Sequence, residues 1–244
     1  MGKLYELCIN VYRKIMPAGV RHLIGMVRSS PKIWTEAEAI GVKWYYQHYS
    51  IPRWQKEYAS GRWEYMWGLD ELVRYSNIMA YVRYLKPRGS ILDLGSGEGI
   101  LQERLGAESY SRYIGVDISQ SAIKKAQVRQ DGKTTFICAD LVTFVPDCSF
   151  DVIVFNEILY YLDDPLSIMK YYARFLEPNG IFIVSMYITE DTIHNWRTLK
   201  SAYDFFDEIR STNKKSGYSW SCAVWGADDN RASRFEDTYR GVKL

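Results

Sequence analysis

The sequence predicts an α/β fold, a doubly wound and mostly parallel sheet, from three observations. A short apolar run ends at Leu94, glycine then occupies every second position from 95 to 99, and an amphipathic segment begins at Glu98. Two further runs lead to the acidic residues Asp117 and Asp140, and a third leads to Asn156. The carboxyl ends of parallel strands meet at one edge of such a sheet, where ligands bind. We therefore expect these polar residues to lie together at that edge.

Each element follows from a short run rich in β-branched and aromatic residues. The predicted strands, in order, are the run ending at Leu94, then Tyr113–Val116, Thr135–Ala139, Phe150–Phe155 and Ile181–Ser185. Helices are predicted over residues 70–86 and 192–201, and the proline, asparagine and glycine within 176–180 predict a turn.

The glycine spacing differs from the dinucleotide fingerprint G-x-G-x-x-G, because residue 100 is isoleucine. Asp93, just before the loop, would crowd a pyrophosphate but suits a cationic amino group. Asp117 lies about 20 residues after the glycines, where a doubly wound sheet places the carboxylate that accepts hydrogen bonds from ribose hydroxyls. These residues favour a ligand with a ribose and a positive charge.

Five segments in this order resemble the motifs of class I S-adenosylmethionine-dependent methyltransferases of the small-molecule type. They are LDLGSGEG, the acid in GVDIS, the Ala139-Asp140 pair, FDVIVFNEILYYL and LEPNGIFIVSM, and the likeness covers residues 70–225. The resemblance implies a Rossmann-like methyltransferase fold of seven strands, with an antiparallel strand around Tyr218–Trp225 inserted at the sheet edge. Within the family, the stretch from Asn156 to Tyr161 most resembles the nodulation N-methyltransferases.

The same resemblance implies S-adenosylmethionine as the cofactor and assigns residues to its parts. The expected set is Gly95, Ser96 and Gly97 along the methionine part, Asp117 at the ribose, Ile118, Asp140 and Leu141 around the adenine, with Asp93 and Asn156 beside them.

The composition fits one catalytic domain and argues against several kinds of partner. Of 244 residues, 47% are hydrophobic, enough for a full core, and the net charge of +2 is too small for a nucleic-acid-binding surface. The cysteines at 8, 138, 148 and 222 have no metal-ligand spacing, so we expect no metal and reduced thiols, with Cys138 in a core strand. Reduced thiols indicate a cytoplasmic protein, and no apolar run reaches the roughly 18–20 residues of a membrane span.

Three segments divide the chain: a basic amphipathic arm over 1–32, an aromatic-rich helical lid over 33–86, and a cofactor-binding catalytic core over 87–244. The arm carries six lysines and arginines against one acid, with apolar residues at helical spacing. Two interpretations stay open. The arm lies peripherally on the inner face of an anionic membrane, or it packs on the core or on the partner in a homodimer.

The lid is expected to close over cofactor and acceptor, because aromatic rings attract a sulfonium and stack on sugar rings. Trp63 and Tyr65 are the individual substrate-binding candidates, with ordinary packing between helices as the alternative. Arg74, near the start of the next helix, either binds a carboxylate or phosphate or lies on a solvated helix face. His48 also falls within the lid.

Methyl transfer from a sulfonium is an in-line displacement, so alignment supplies most of the rate, and a hydroxyl acceptor also needs a general base. Glu157, just past the fourth strand, is the first catalytic candidate, either to orient an amine or to deprotonate a hydroxyl. His194, after the fifth strand, is the second, with a surface histidine as the alternative. Tyr160 and Tyr161 either line the acceptor pocket or pack on a helix.

Three functions follow for a protein with a small-molecule substrate. The first is methyl transfer to a hydroxyl of a sugar or of a glycan- or lipid-linked intermediate. The second is N-methylation of a small amine or amino sugar. The third is a regulatory protein that binds the cofactor without catalysis, and the complete set of carboxylates argues against it.

Overall fold

The computed structural model describes residues 51–162, 164–203 and 206–226. The predicted arm, the first part of the lid with His48, and Cys8 lie outside these ranges, so what was expected of them stays a prediction. From Trp54 on, the described residues belong to one compact unit.

The described chain alternates helices and strands. The helices are α1 (Ile51–Ala59), α2 (Leu69–Leu85), α3 (Ile100–Leu105), α4 (Gln120–Gln127), α5 (Pro165–Ala173) and α6 (Glu190–Ala202), with short 3-10 helices at Glu64–Trp67 and Leu159–Tyr161. The strands are β1 (Ser90–Leu94), β2 (Arg112–Asp117), β3 (Thr134–Cys138), β4 (Phe150–Asn156), β5 (Leu176–Tyr187), β6 (Asp207–Thr212) and β7 (Ser219–Gly226).

Local sequence explains where several helices begin. The Ser119 hydroxyl accepts a hydrogen bond from an N–H in the first turn of α4, and the Asp164 carboxylate does the same for α5. Helix α6 begins with a reciprocal pair of bonds between Thr189 and Thr192. Such caps satisfy N–H groups that have no partner within the helix.

The strands form one sheet in the order β3-β2-β1-β4-β5-β7-β6. Strands β1 to β5 run parallel, and β7 runs antiparallel to both of its neighbours. This confirms the prediction of a doubly wound, mostly parallel sheet of seven strands.

Three details of the structure differ from the sequence-based prediction. Strand β7 does not lie at the edge, because β6 pairs outside it. Strand β6 went unpredicted since five of its six residues are polar and no apolar run marks it. Residues 176–180 begin β5 rather than form a turn, and the pairing register shifts between Phe150 and Val152 beside them. Such an irregularity tolerates proline and glycine in a strand.

Alternate strand residues pack into two hydrophobic clusters on opposite faces of the sheet. On one face, Ile91 and Val152 pack with residues from α2, α3 and α4. On the other, Leu92 and Ile153 pack with residues from α5 and α6. Helix α2, which was predicted to belong to the lid, therefore contributes to the core.

None of the helices in the described part of the chain combines the length and the apolar character that a membrane span requires.

Candidate functional site

The glycine loop between β1 and α3 forms the centre of the site. Gly95 and Gly97 have φ values of +78° and +55°, which side chains rarely adopt. A Cβ at Gly95 would lie 2.8 Å from Cγ1 of Ile158, and one at Gly97 would lie 2.9 Å from Oη of Tyr58. Glycine is therefore required at both positions by backbone conformation and by close neighbours. Helix α3 begins two residues later than the predicted amphipathic segment.

The carboxylate of Asp117, at the end of β2, is 8% exposed and held by two backbone donors. The Gly97 N–H donates to Oδ2 at 2.9 Å, and the Ser119 N–H donates to Oδ1 at 2.8 Å. Burial raises the pKa of Asp117 to about 6, although both hydrogen bonds act to lower it. Each oxygen keeps a second lone pair, so the fixed carboxylate can still accept bonds from hydroxyl groups.

Asp93 lies on β1 beside the glycine loop and is 1% exposed. The Tyr113 hydroxyl donates to Oδ2 at 2.5 Å, whereas Oδ1 has no hydrogen-bond partner among the described residues, and neither has Oγ of Ser96. Burial raises the pKa of Asp93 to about 7, with the Tyr113 bond opposing the rise. A buried acceptor without a partner calls for an explanation, and a ligand with a donor group supplies one.

The residues predicted around the adenine follow β2 and β3. Ile118 and Asp140 are half-buried, and Leu141 is buried in the second hydrophobic cluster. The Asp140 carboxylate accepts the N–H of Val142 at 2.9 Å, within its own turn. Cys138 is exposed, so its predicted place in the core is wrong: it ends β3, the strand at the sheet edge. The three cysteines in the described ranges are free thiols.

Asn156, the last residue of β4, is held by Arg74 of α2. Nη1 of Arg74 donates to Oδ1 of Asn156 at 2.7 Å, and Nε donates to the Glu71 carboxylate at 2.8 Å. Arg74 is only 2% exposed, so the alternative of a solvated helix face is wrong. The carboxylate that Arg74 binds is the chain's own Glu71, which compensates its charge inside the protein.

Glu157 follows β4 with a φ of +57°, a strained conformation for a residue with a side chain. Its carboxylate accepts the Tyr187 N–H at 2.8 Å, the Ser185 hydroxyl at 3.1 Å and the Tyr160 hydroxyl at 3.3 Å. Burial raises the pKa of Glu157 to about 7, while the charge of Arg74 and the three bonds lower it. A carboxylate that titrates near neutral pH can both take up and release a proton.

Five aromatic residues, which we call the aromatic row, connect α1 to the turn after β4. The Trp63 ring lies 5.5 Å from Trp54, 6.0 Å from Tyr58 and 6.0 Å from Tyr65, between centroids. Trp54 contacts Tyr161 edge-on at 5.0 Å. Tyr65 and Tyr161 are 57% and 44% exposed, so their ring faces are accessible. The Tyr160 ring contacts Tyr161 at 4.5 Å between centroids, so the structure brings together all four predicted substrate-binding residues.

Two residues of α1 that were not predicted hold this helix against the cofactor side. Oε1 of Gln55 accepts the backbone N–H of Ser121 at 2.9 Å and its hydroxyl at 3.0 Å, at the start of α4. Tyr58 is buried against Gly97. Nothing in the sequence distinguishes Gln55 or Tyr58 from the other polar and aromatic residues of the predicted lid.

The fourth substrate candidate lies beside Glu157, whereas the second catalytic candidate lies elsewhere on the surface. Tyr160 is half-buried, with its hydroxyl on Glu157. His194 is exposed on α6 and lines an outer cleft of about 150 Å³ with Asp164 and Thr198. The structure does not bring His194 together with Glu157.

The strand order, the glycine loop and the acidic residues near the ends of β1 and β2 define the fold of class I methyltransferases. A family model described as a methyltransferase domain matches residues 67–224, and the chain belongs to this family. Membership confirms the recognition of a class I S-adenosylmethionine-dependent methyltransferase, with its enzyme class and its cofactor. The roles of individual site residues stay predictions.

Curated relatives match the chain over part of their length. Ubiquinone biosynthesis O-methyltransferase from Bradyrhizobium diazoefficiens is 36% identical over 101 residues, which are 39% of this chain and 38% of that protein. Malonyl-[acyl-carrier protein] O-methyltransferase from Bacillus cereus is 31% identical over 127 residues, 47% of each chain. The chain therefore spans less than half the length of these two relatives.

A solved structure supports the fold independently. N-methyltransferase NodS from Bradyrhizobium japonicum WM9, in complex with S-adenosyl-L-homocysteine, aligns with a TM-score of 0.60. The alignment covers 71% of this chain and 96% of that chain at 19% identity, so it shows a shared fold.

Proposed function

We propose that this protein transfers a methyl group from S-adenosylmethionine to a hydroxyl of a small-molecule acceptor, with Glu157 as the general base. The observation that carries the proposal is the Glu157 carboxylate at the carboxyl edge of the sheet, fixed by three donors and with a pKa raised to about 7 by burial. General bases act best when their pKa lies near the working pH. A neutral amine attacks without a base, so this carboxylate favours a hydroxyl acceptor.

The residues around the glycine loop fit the methyl donor. Asp117 has lone pairs for two ribose hydroxyls, and Oδ1 of Asp93 and Oγ of Ser96 are buried without a partner among the described residues. When bound, the cofactor supplies a methyl group activated by a sulfonium. The remaining proposed cofactor contacts are Gly95, Gly97, Ile118, Asp140, Leu141 and Asn156.

In this proposal Glu157 takes the hydroxyl proton as the acceptor oxygen bonds to the methyl carbon. S-adenosylmethionine held at Asp93, Ser96 and Asp117 would supply the methyl group, and the electron pair of the carbon–sulfur bond would leave with a neutral thioether. The carboxylate ends the step as a neutral acid and returns the proton to water. The bonds to Tyr187, Ser185 and Tyr160 keep Glu157 in place throughout, which is the alignment that in-line transfer needs.

The aromatic row suits an acceptor with a ring, and a sugar or a glycan- or lipid-linked intermediate is our proposed class. Trp63, Tyr65 and Tyr161 offer ring faces beside the turn that carries Glu157. Aromatic faces stack on apolar faces of ligands while their polar edges stay hydrated. A basic arm on a membrane surface would bring the site to lipid-linked substrates.

N-methylation of a small amine is the second candidate. It is favoured by the likeness of residues 156–161 to the nodulation N-methyltransferases and by the fold shared with NodS. Glu157 would then orient the amine and accept its proton after transfer.

A labelled-methyl assay tests these alternatives. The full chain is incubated with S-adenosylmethionine carrying a tritiated methyl group and with cell extract separated into lipid, glycan and soluble amine fractions. We expect label in the lipid or glycan fraction. The rate should fall as the pH falls through about 7, because a protonated carboxyl cannot take a proton.

Two variants give the controls. Glu157→Gln should lower the rate at pH 8 by about 100-fold and abolish the fall near neutral pH, whereas exposed Asp147→Asn should change neither. Label confined to amines, with activity retained in Glu157→Gln, would establish the second candidate instead. Cofactor binding without label in any fraction would establish a non-catalytic protein.

A further inference from the structure

A guanidinium that is bonded through all three of its nitrogens lies inside the protein, on the acceptor side of the site. Arg74 is 2% exposed, with Nε on Glu71 at 2.8 Å and Nη1 on Asn156 at 2.7 Å. Its Nη2 donates to the Tyr75 hydroxyl at 3.0 Å and contacts Sδ of Met66 at 3.3 Å. Bonds on three nitrogens of a planar group fix its orientation completely.

These contacts also fix the end of β4. A guanidinium only donates hydrogen bonds, so the amide oxygen of Asn156 must be the atom that faces Arg74. Asn156 is followed directly by Glu157, whose backbone has the left-handed φ of +57°. Arg74 therefore holds the residue from which the turn that carries Glu157 begins.

The charge of Arg74 also reaches the carboxylate itself. The groups that face Glu157 from the elements packed against it are Arg74 of α2, Tyr160 of the second 3-10 helix, Ser185 and the Tyr187 N–H of β5, and Cys222 of β7. Among these groups, Arg74 is the one that is charged. Burial and neighbouring carboxylates raise the pKa values of Tyr160 and Cys222, so both side chains stay neutral.

We propose that Arg74 is a positioning residue for the general base, holding Asn156 in place and keeping Glu157 ionised, while Glu71 limits how much of its charge reaches Glu157. The inference rests on the proposed function, in which Glu157 takes the acceptor proton. Glu71 and Arg74 form one buried ion pair, and opposite charges act on the ionisation of a nearby carboxylate in opposite directions. Neutralising either member should therefore move the ionisation of Glu157 in opposite directions.

A ¹³C NMR titration of the Glu157 carboxyl tests this in the full chain without any acceptor, with the signal assigned by its loss in Glu157→Gln. Arg74→Met removes the charge and should raise the pKa of Glu157 by about one pH unit or more. Glu71→Gln keeps an oxygen for Nε but removes the negative charge, and should lower the pKa. Arg210→Met is the matched control: it removes an arginine charge at an exposed site and should leave the pKa of Glu157 unchanged.

A second readout separates charge from geometry. Arg74→Lys keeps the charge and loses the planar fork, so the pKa of Glu157 should stay near that of the wild type while kcat falls. In each variant, the fall of kcat/KM at low pH should shift along the pH axis by the same amount as the pKa of Glu157.

Shifts in the same direction for Arg74→Met and Glu71→Gln, or no shift in either, would overturn the proposal, because an ion pair that only stabilises the fold gives no opposite signs. If Arg74→Met does not fold, the other two variants test the proposal. A lowered pKa of Glu157 in Glu71→Gln together with an unchanged pKa in Arg74→Lys supports the proposal, and any other combination of results overturns it. The titration requires no methyl transfer, so a failure of the proposed function is seen separately, as activity retained in Glu157→Gln.

Discussion

Asp117 and Glu157, which lie on the two halves of the sheet edge, are held in different ways. On the cofactor half, at the ends of β1 and β2, Asp117 accepts the backbone N–H groups of Gly97 and Ser119, 20 and 2 residues away along the chain. On the acceptor half, at the ends of β4 and β5, Glu157 accepts two side-chain hydroxyls and one N–H, and faces the charge of Arg74. Two of the acceptor-half hydrogen bonds and its positive charge thus depend on side chains that a substitution can remove.

This difference teaches where each half is vulnerable. A backbone donor survives most substitutions, so Asp117 should lose its position only when the carboxylate itself or the glycine backbone is changed. On the acceptor half, single hydroxyls or charges can be removed one at a time, so the pKa of Glu157 can be changed while the fold is kept.

The largest effect should come from removing the carboxylate of the cofactor half. Asp117→Ala should weaken binding of S-adenosylmethionine by about 100-fold, since two bonds between ribose hydroxyls and a charged acceptor contribute about 3 kcal/mol. Isothermal titration calorimetry measures the loss, with exposed Asp147→Asn as control. An unchanged Kd would refute the assignment of Asp117 and with it the cofactor half.

A smaller effect separates backbone conformation from close contact. Gly97→Ala and Gly217→Ala both place a side chain at positive φ, +55° and +75°, which costs about 1–2 kcal/mol of stability. Only at Gly97 does the added Cβ meet a neighbour, the Tyr58 hydroxyl at 2.9 Å, whereas nothing lies within 4 Å at Gly217. Urea unfolding should show a larger loss for Gly97→Ala, and only this variant should also weaken cofactor binding. Equal losses, with binding intact, would mean that Tyr58 moves aside freely.

The smallest effect belongs to the acceptor half. Ser185→Ala removes a hydrogen bond to the ionised form of Glu157, so the pKa of Glu157 should rise and the acid limb of the rate should move up by about half a pH unit. Cofactor affinity should stay unchanged, measured by the same calorimetry. Ser221→Ala removes a comparable buried hydroxyl that donates to Glu208 and should leave the limb in place. If the acid limb of the rate shifts in both variants, the shift comes from a general change in the sheet and not from the lost hydrogen bond to Glu157.

The same contrast explains how much of the molecule the sequence predicts. The glycine loop can be predicted because strand end, turn and helix start are neighbours in the chain, and Asp117 can be predicted because it ends the next apolar run at the spacing typical of this fold. Arg74 binds Asn156 across 82 residues, and a single arginine in a helix gives no sign of such a partner. The alternative of a solvated helix face failed for this reason.

Other failures of prediction share a cause. Strand β6 forms because β7 offers it hydrogen bonds, although its own residues are mostly polar. Gln55 and Tyr58 matter because α1 packs on the glycine loop, which no periodicity within α1 reveals. Tertiary pairing in each case overrides or supplements local preference, as is common in strands.

The insertion of β7 has a consequence for synthesis. Strand β6 precedes β7 in the chain but, among the described strands, pairs with β7 alone, so it leaves the ribosome before the strand it needs. Until β7 follows, β5 keeps an unpaired edge from Ile181 to Tyr187, and such apolar edges are templates for pairing with other chains. A chain cut after residue 218 would present that edge permanently, so resistance to aggregation depends on the strand that is made last in the described sheet.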